Sequence, residues 1–388
     1  MIIKNGNINN AVDRESFVAD ILVENGKIKA IEKNLAVASD DEVIDATGKN
    51  IYPGFVEAHC HIGLAGKWGQ GRTSSDINES NDPLCAHLRA IDAIDPFDKN
   101  FELARNAGIT TVCTGPGSLN VIGGTFAAIK TVGKRVDDMA VKKEVALKCA
   151  FGENITNGYN KKSISIRMTT AALLRDILSK ARRYQKAIDA AEGDESKYPA
   201  FDSKLNALLP VMRGDMPLKA HAHQANDIFT AIRIAEEFGV KLTLEHVTDG
   251  HLIVDELAKA NYPVAVGPTM MGAAKVEVRN KSWQTPVELS KAGCHVSLIT
   301  DSPVISQENL PLCAGFAIKA GMDRFEALKA VTIHPAEHIG IADRVGSIEV
   351  GKDADFVICE GSPFEISTVI EKVIIDGKVV NTENTTIR

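Results

Sequence analysis

The middle of the chain alternates helix-forming and strand-forming segments, and this alternation narrows the folds open to it. "NDIFTAIRIAEEFGVKLTLEH" places apolar residues at helical spacing up to Phe238, then Gly239 as a stop, then an apolar run. "DPFDKNFELARNAGITTVCTG", "DELAKANYPVAVGPT" and "TPVELSKAGCHVSLITDS" follow the same plan. Repeated units with nearly continuous apolar strands predict a parallel sheet covered by helices. The length from residue 51 to 344 suits a (β/α)8 barrel as well as an open sheet.

Both ends of the chain have a different character. "ADILVENGKIKAIEKN" near the start and "VIEKVIIDGKVVN" near the end read as hairpins, with Asn25-Gly26 and Asp376-Gly377 at their turns. The economical interpretation is one small β-sandwich domain built from residues 1–50 and 345–388 beside a barrel of residues 51–344. Within the barrel, "LLRDILSKARRYQKAIDAAEGDESKY" reads as a charged helical insertion.

Composition excludes several classes of protein. The chain has 388 residues, 44% hydrophobic and 24% charged, as in an ordinary globular protein. Its net charge of -7 disfavours nucleic acid or an anionic membrane as a partner. The seven cysteines are odd in number and never paired as C-x-x-C, which is typical of a reducing compartment. The sequence has no signal-peptide core and no apolar run of transmembrane length, so we expect a cytoplasmic enzyme. The expected partner is a small-molecule substrate, and homo-oligomerisation is left open.

Histidines and an aspartate follow the predicted strands of the middle region. "GFVEAHCHIG" puts two imidazoles at alternate positions, so that both share one face of a strand. An isolated H-x-H pair fits two hydrogen-bonded side chains at a strand end as well as a metal site. Because a barrel gathers its carboxyl strand ends at one mouth, the full set predicts a metal site there. This set consists of His59, His61, His221, His223, His246 and Asp301.

In order along the chain, "PGFVEAHCHIG", "HAHQANDI", "LEHVTDG" and "LITDSP" resemble the amidohydrolase superfamily, specifically its imidazolonepropionase-related and prolidase-like members. The similarity covers nearly the whole chain, including the closing "HPAEHIGIADRVGSIEVGKDADFVICEG". It implies that His59 and His61 bind one divalent metal, with Asp301 as a further ligand and proton shuttle. It also implies that His221 and His246 bind a second metal, or orient substrate if only one is present.

Other site residues are predicted with alternatives. His223 falls where similar proteins carry an acidic or polar residue, so we interpret it as a substrate contact. "VALKCAFGENI" must supply a ligand bridging two metals: Lys148 points inward between two alanines and, carboxylated, would bridge as in prolidase-like proteins, whereas Glu153 is the rival. Trp68 and Arg72, in a long polar loop, are predicted substrate contacts.

Three further stretches receive a structural interpretation. "GPGSLNVIGGTFAAIKT" lacks the spacing of a phosphate loop and is predicted to be a flexible loop near the mouth. His295 is predicted to open the last strand at the opposite end of the barrel. His334 and His338 are predicted to have structural roles in the closing helical segment.

The predicted function is hydrolysis of a C–N bond by a metal-activated hydroxide, with one or two divalent ions. Zinc is the first choice, with manganese or iron as alternatives. The substrate would be an amide, cyclic amide, acyl amino acid or dipeptide. A second hypothesis is a mononuclear heterocycle deaminase or chlorohydrolase of the same superfamily, and a third is a non-catalytic scaffold on the same barrel.

Overall fold

A computed structural model describes residues 1–39, 42–65, 75–160 and 162–380. Its strands are β1 (Ile2–Ile8), β2 (Phe17–Glu24), β3 (Lys27–Glu32), β4 (Val43–Asp45), β5 (Asn50–Pro53), β6 (Phe55–Cys60), β7 (Ile109–Thr114), β8 (Ile122–Lys130), β9 (Ala140–Ala150), β10 (Leu218–Ala222), β11 (Leu242–His246), β12 (Val264–Val266), β13 (Val296–Leu298), β14 (Phe356–Cys359), β15 (Ile370–Ile375) and β16 (Lys378–Val379). Its α-helices are α1 (Lys99–Asn106), α2 (Val136–Met139), α3 (Glu153–Gly158), α4 (Arg167–Ala190), α5 (Ser203–Ala207), α6 (Leu209–Arg213), α7 (Ala225–Phe238), α8 (Val254–Ala260), α9 (Gln284–Lys291), α10 (Leu310–Lys319), α11 (Arg324–Lys329) and α12 (Ile333–His338).

The two chain ends form a single sheet, in the order β16-β15-β14-β5-β1-β2-β3, with β4 beside β1. Asn25-Gly26 and Asp376-Gly377 form the predicted hairpin turns, with all four residues in the left-handed region that a two-residue turn of this kind requires. The prediction of a β domain shared by both termini is confirmed. The division at residues 50/51 and 344/345 stays a prediction, and β5 already pairs with the terminal sheet.

The second sheet is the barrel, in the order β13-β12-β11-β10-β9-β8-β7-β6. Its two edge strands are joined through the segment 330–331: the Val56 N–H of β6 donates to the Val331 carbonyl, and the Leu298 N–H of β13 donates to the Ala330 carbonyl. The barrel is therefore nearly closed, and the predicted fold class is confirmed.

One strand departs from a regular barrel. β8 runs antiparallel to both β7 and β9, whereas the other neighbours in this sheet are parallel. The glycine-rich stretch was predicted as a loop, and that prediction is wrong for Ile122–Lys130, which is buried throughout. The strand requires a glycine at position 124. Gly124 has a φ of +114° and approaches the Leu88 carbonyl so closely that a side chain would not fit. Phe126 of this strand is fully buried, and its ring lies against those of His59 and His61.

Helices cover the outside of the barrel as the periodicity predicts. α7 ends at Gly239, whose left-handed backbone caps the helix, and its apolar face is buried against the strands. The predicted helical insertion is α4, which packs in the same core cluster.

A buried ion cluster attaches the terminal sheet to the barrel. Lys130 of β8 is 4% exposed, and its Nζ lies 2.5 Å from Asp355 Oδ2, 3.0 Å from Asp353 Oδ2 and 3.3 Å from Asp376 Oδ1. Burial alone would lower the pKa of Lys130, but the three carboxylates raise it. The cluster therefore fixes the β14–β15 region against the strand that carries Phe126.

Candidate metal centre

The predicted ligands converge at the carboxyl end of the barrel. His59 lies near the end of β6 and His61 just after it, while Asp301 follows β13. Asp301 Oδ1 lies 3.1 Å from His61 Nε2 and 3.8 Å from His59 Nε2. These three side chains, predicted to share one metal, are thus neighbours.

The second half of the barrel contributes another group of imidazoles. The ring centroids of His221 and His246 lie 4.3 Å apart, and that of His223 lies 4.7 Å from the first and 4.8 Å from the second. One nitrogen from each of these histidines lies within 4.8 Å of the others, and the same holds for ligand atoms of His59, His246 and Asp301. His246 therefore lies between the two groups. His223 is as close to its neighbours as the predicted ligands are, although the sequence analysis interprets it as a substrate contact.

Hydrogen bonds fix which ring nitrogen faces the centre. His59 Nδ1 lies 2.9 Å from the Glu245 carboxylate, His61 Nδ1 lies 2.7 Å from the Gly115 carbonyl, and His246 Nδ1 lies 2.8 Å from the Gly267 carbonyl. Because these oxygens only accept, each Nδ1 donates its proton and each Nε2 keeps a lone pair. All three imidazoles are thus held in the form that binds a cation.

Several polar atoms at this site are buried without a partner. In the described part of the chain, neither ring nitrogen of His221, nor His246 Nε2, nor Asp301 Oδ1 has a hydrogen bond. An unsatisfied buried polar atom costs about 1–3 kcal/mol of stability. Several such atoms at one place therefore indicate a functional role. Nitrogen and carboxylate donors of this kind fit a divalent transition-metal ion.

Burial dominates the electrostatics of the group. It lowers the pKa of His246 to about 4 and holds the pKa values of His59, His221 and His223 well below the usual range, so all four are neutral at pH 7. For Asp301, burial acts to raise the pKa, but the surrounding histidines outweigh it and the pKa falls. Neutral imidazoles and an ionised carboxylate are the protonation states that bind metal.

Two of these residues have unusual backbone. His246 has a φ of +75° and Asp301 a φ of +53°. The left-handed turn at His246 breaks strand alternation, so that both Glu245 and His246 reach His59. Such conformations cost roughly 1–3 kcal/mol each and cluster at functional sites.

Lys148 points into the barrel, as predicted. It is fully buried, its Nζ lies 2.9 Å from His59 Nε2, and burial is the main cause that lowers its pKa to about 8. Among the described residues no carboxylate pairs with it. Glu153 lies at the start of α3, half-buried, and belongs to none of the ligand groups found in the described ranges. Lys148 thus contacts a predicted metal ligand, and its carboxylation stays a prediction.

A network that the sequence analysis missed lies beneath the histidines. Glu245 is fully buried; besides His59, its carboxylate accepts from Lys219 Nζ at 2.9 Å, His338 Nε2 at 2.8 Å and Thr243 Oγ1 at 2.8 Å. His338, predicted to be structural, is therefore part of the support of the site. The available signal was an acidic residue inside an otherwise apolar strand, "LTLEH".

Glu57 supports the opposite side. Its buried carboxylate accepts from the backbone N–H of His59 at 3.1 Å and of Thr300 at 2.9 Å, and from Gln307 Nε2 at 3.0 Å. Burial raises its pKa to about 7. This residue links β6 to the segment that carries Asp301, and "GFVEAH" again showed a charge within an apolar strand.

Trp68 and Arg72, predicted substrate contacts, lie outside the described residues. Within the described ranges, no helix combines the length and apolarity that crossing a membrane requires.

Comparison with known proteins gives one family and several relatives. The profile of the family described as "Amidohydrolase family" matches residues 50–380. A crystal structure of an amidohydrolase from Thermotoga maritima MSB8 has 40% identity and a TM-score of 0.94, covering 98% of this chain and 100% of that one. A Xaa-Pro dipeptidase structure with 18% identity and a TM-score of 0.60, covering 98% and 99%, shows the same fold.

Three curated relatives have different enzyme names. A dihydroorotase of Thermoanaerobacter sp. is 25% identical, covering 98% of this chain and 92% of its own, and an imidazolonepropionase of Clostridium tetani is 25% identical, covering 93% and 90%. An amidohydrolase of Hapsidospora irregularis is 26% identical over 93% of this chain, which spans 40% of that relative's length.

Proposed function

The chain belongs to the amidohydrolase family, and from that premise we propose that it hydrolyses a carbon–nitrogen bond in a small molecule with the help of one or two divalent cations. The class predicted from the sequence, a hydrolase of C–N bonds, agrees with this membership. We further propose that the substrate is an amide, cyclic amide, acyl amino acid or dipeptide. The cytoplasmic location and homo-oligomerisation stay predictions.

The observation that supports a cation most strongly is the set of buried ligand atoms at the mouth that have no hydrogen-bond partner in the described part of the chain. His59, His61 and Asp301 would hold one ion, and His221 and His246 a second. A divalent cation, when bound, lowers the pKa of water towards neutrality and polarises a carbonyl. Zinc suits these donors best, with manganese or iron as alternatives. A His223→Gln variant distinguishes the two roles open to His223, because loss of metal would identify a ligand and a raised KM alone a substrate contact.

Asp301 is the residue that moves a proton. Its carboxylate is ionised and lies beside the imidazoles, and its Oδ1 is not engaged by a hydrogen bond in the described ranges. A carboxylate so placed accepts a proton from the attacking water and delivers it to the leaving nitrogen. Glu57 and Glu245 do not touch the reacting atoms, and they position the segments that do.

Lys148 is proposed as the bridging ligand in its carboxylated form. An ammonium group beside two cations would be repelled, whereas a carbamate is an anion and would be able to hold both. The lowered pKa increases the fraction of neutral amine, which is the form that reacts with carbon dioxide. The Nζ position, 2.9 Å from a predicted ligand atom, supports this assignment over Glu153.

A hydrolysis screen tests the proposal. The metal-stripped chain is assayed against N-acyl amino acids, dipeptides, hydantoin-like rings, lactams and heterocyclic amines, with and without Zn²⁺ or Mn²⁺. We expect metal-dependent cleavage of one amide class, abolished together with at least one metal in His59→Ala and retained in His87→Gln, an exposed histidine. Ammonia release from a heterocyclic amine alone would favour the deaminase hypothesis. Full activity in the stripped protein would refute metal dependence.

A further inference from the structure

A second cluster of metal-binding side chains lies at the opposite end of the barrel. His295 directly precedes β13, and His334 and Glu337 belong to α12, three residues apart and hence on one face of that helix. One ligand atom from each of the three lies within 4.8 Å of the others. Two imidazoles and a carboxylate from separate segments thus converge outside the site already described.

The contacts within this cluster leave one ring nitrogen of His334 available, whereas His295 and Glu337 are hydrogen-bonded to each other and would exchange that bond for the ion. His295 Nε2 lies 2.6 Å from Glu337 Oε2, and the two imidazole centroids lie 4.3 Å apart. His334 Nδ1 lies 3.0 Å from the Val296 carbonyl and therefore donates to it, so His334 Nε2 keeps a lone pair. Burial, which lowers the pKa of His334 to about 4, keeps this ring neutral.

The cluster is also open to solvent. The side chain of His295 is 27% exposed and that of Glu337 48% exposed, so an ion can enter without unfolding and can keep water among its ligands. The mouth site, by contrast, is buried. An open site with two imidazoles and one carboxylate favours zinc, nickel or copper over the hard cations, which prefer oxygen ligands.

We propose that His295, His334 and Glu337 form a separate binding site for a transition-metal dication at the amino end of β13. The bound ion joins α12 to the entry of the last barrel strand, and its effect is on stability rather than on hydrolysis. None of the three residues is a proposed ligand at the mouth, so this proposal does not rest on the proposed function.

Metal counting by mass spectrometry tests this site with Zn²⁺ as the probe. The full chain is stripped with chelator, saturated with buffered Zn²⁺ and compared with His334→Gln and with His87→Gln as the control. We expect wild type and His87→Gln to hold about one ion per chain more than His334→Gln, because the mouth contributes equally to all three. Zinc should also raise the unfolding temperature of wild type more than that of His334→Gln.

Glu337→Gln keeps the shape and hydrogen-bonding capacity of the side chain and serves as a second variant if His334→Gln folds poorly. It should show the same loss of about one ion. Equal zinc content and equal zinc-dependent unfolding shifts in wild type and a folded variant would overturn the proposal, whatever the outcome of the hydrolysis screen.

Discussion

Replacing Glu245 by glutamine tests whether the network below the histidines sets metal affinity. In wild type the carboxylate accepts from His59 Nδ1 at 2.9 Å and faces the Lys219 ammonium at 2.9 Å. Glutamine keeps an oxygen for one of these donors but loses the charge that makes His59 a stronger ligand. Removing a hydrogen-bond partner of a metal-binding histidine weakens metal affinity by about 10–100-fold, or about 1.4–2.7 kcal/mol of binding free energy.

The variant also leaves Lys219 buried without its counter-charge, so stability must be separated from affinity. Thr243→Val removes another donor to the Glu245 carboxylate without touching His59, and should cost about 1 kcal/mol of stability. Competition with a chromophoric chelator gives the zinc Kd of each stripped protein. We expect weaker binding in Glu245→Gln and a wild-type Kd in Thr243→Val. A Glu245→Gln protein that binds zinc as tightly as wild type would show that this network does not tune the site.

The remaining predictions concern the proton shuttle and the ion cluster under the terminal sheet. Asp301→Asn should lower kcat by about 10²-fold or more with little change in KM, and comparable kcat values would rule out the shuttle. Lys130→Met should cost about 3–5 kcal/mol in urea unfolding, because it leaves carboxylates buried without a cation, whereas Lys143→Met, at an exposed pair, should cost about 0–1 kcal/mol. For Asp353, burial acts to raise the pKa, but Lys130, together with Lys27 and Arg344, outweighs it and holds the pKa below 3.8. The stability that the ionised Asp353 gives the wild-type protein is therefore lost as the pH falls below 3.8. The difference in unfolding free energy between wild type and Lys130→Met should become smaller over the same range.

Local patterns predict much of the architecture and of the site. Helical spacing up to Gly239 and the turn at Asn25-Gly26 depend on short-range chemistry, which a single sequence displays. The histidines at strand ends could be grouped because a barrel brings those ends together, and the structure places His59, His221 and His246 in contact.

What escaped prediction depends on long-range pairing. Two glycines next to Phe126 read as a loop, because nothing local shows that this segment would pair between two other strands. Glu57 and Glu245 were passed over since a charge within an apolar strand does not reveal its partner, which lies far away in the sequence. The sequence places His223 at the mouth, but it does not show the short distances to His221 and His246 that make a ligand role open to it.

The most direct test is a crystal structure of the zinc-loaded chain with an anomalous difference map at the zinc edge. We predict one or two strong peaks at the mouth, about 2.0–2.2 Å from nitrogens of His59, His221 and His246, with density for a carboxylated Lys148 beside them. A map without a peak at the mouth, from protein that hydrolyses its substrate at full rate, would contradict the account.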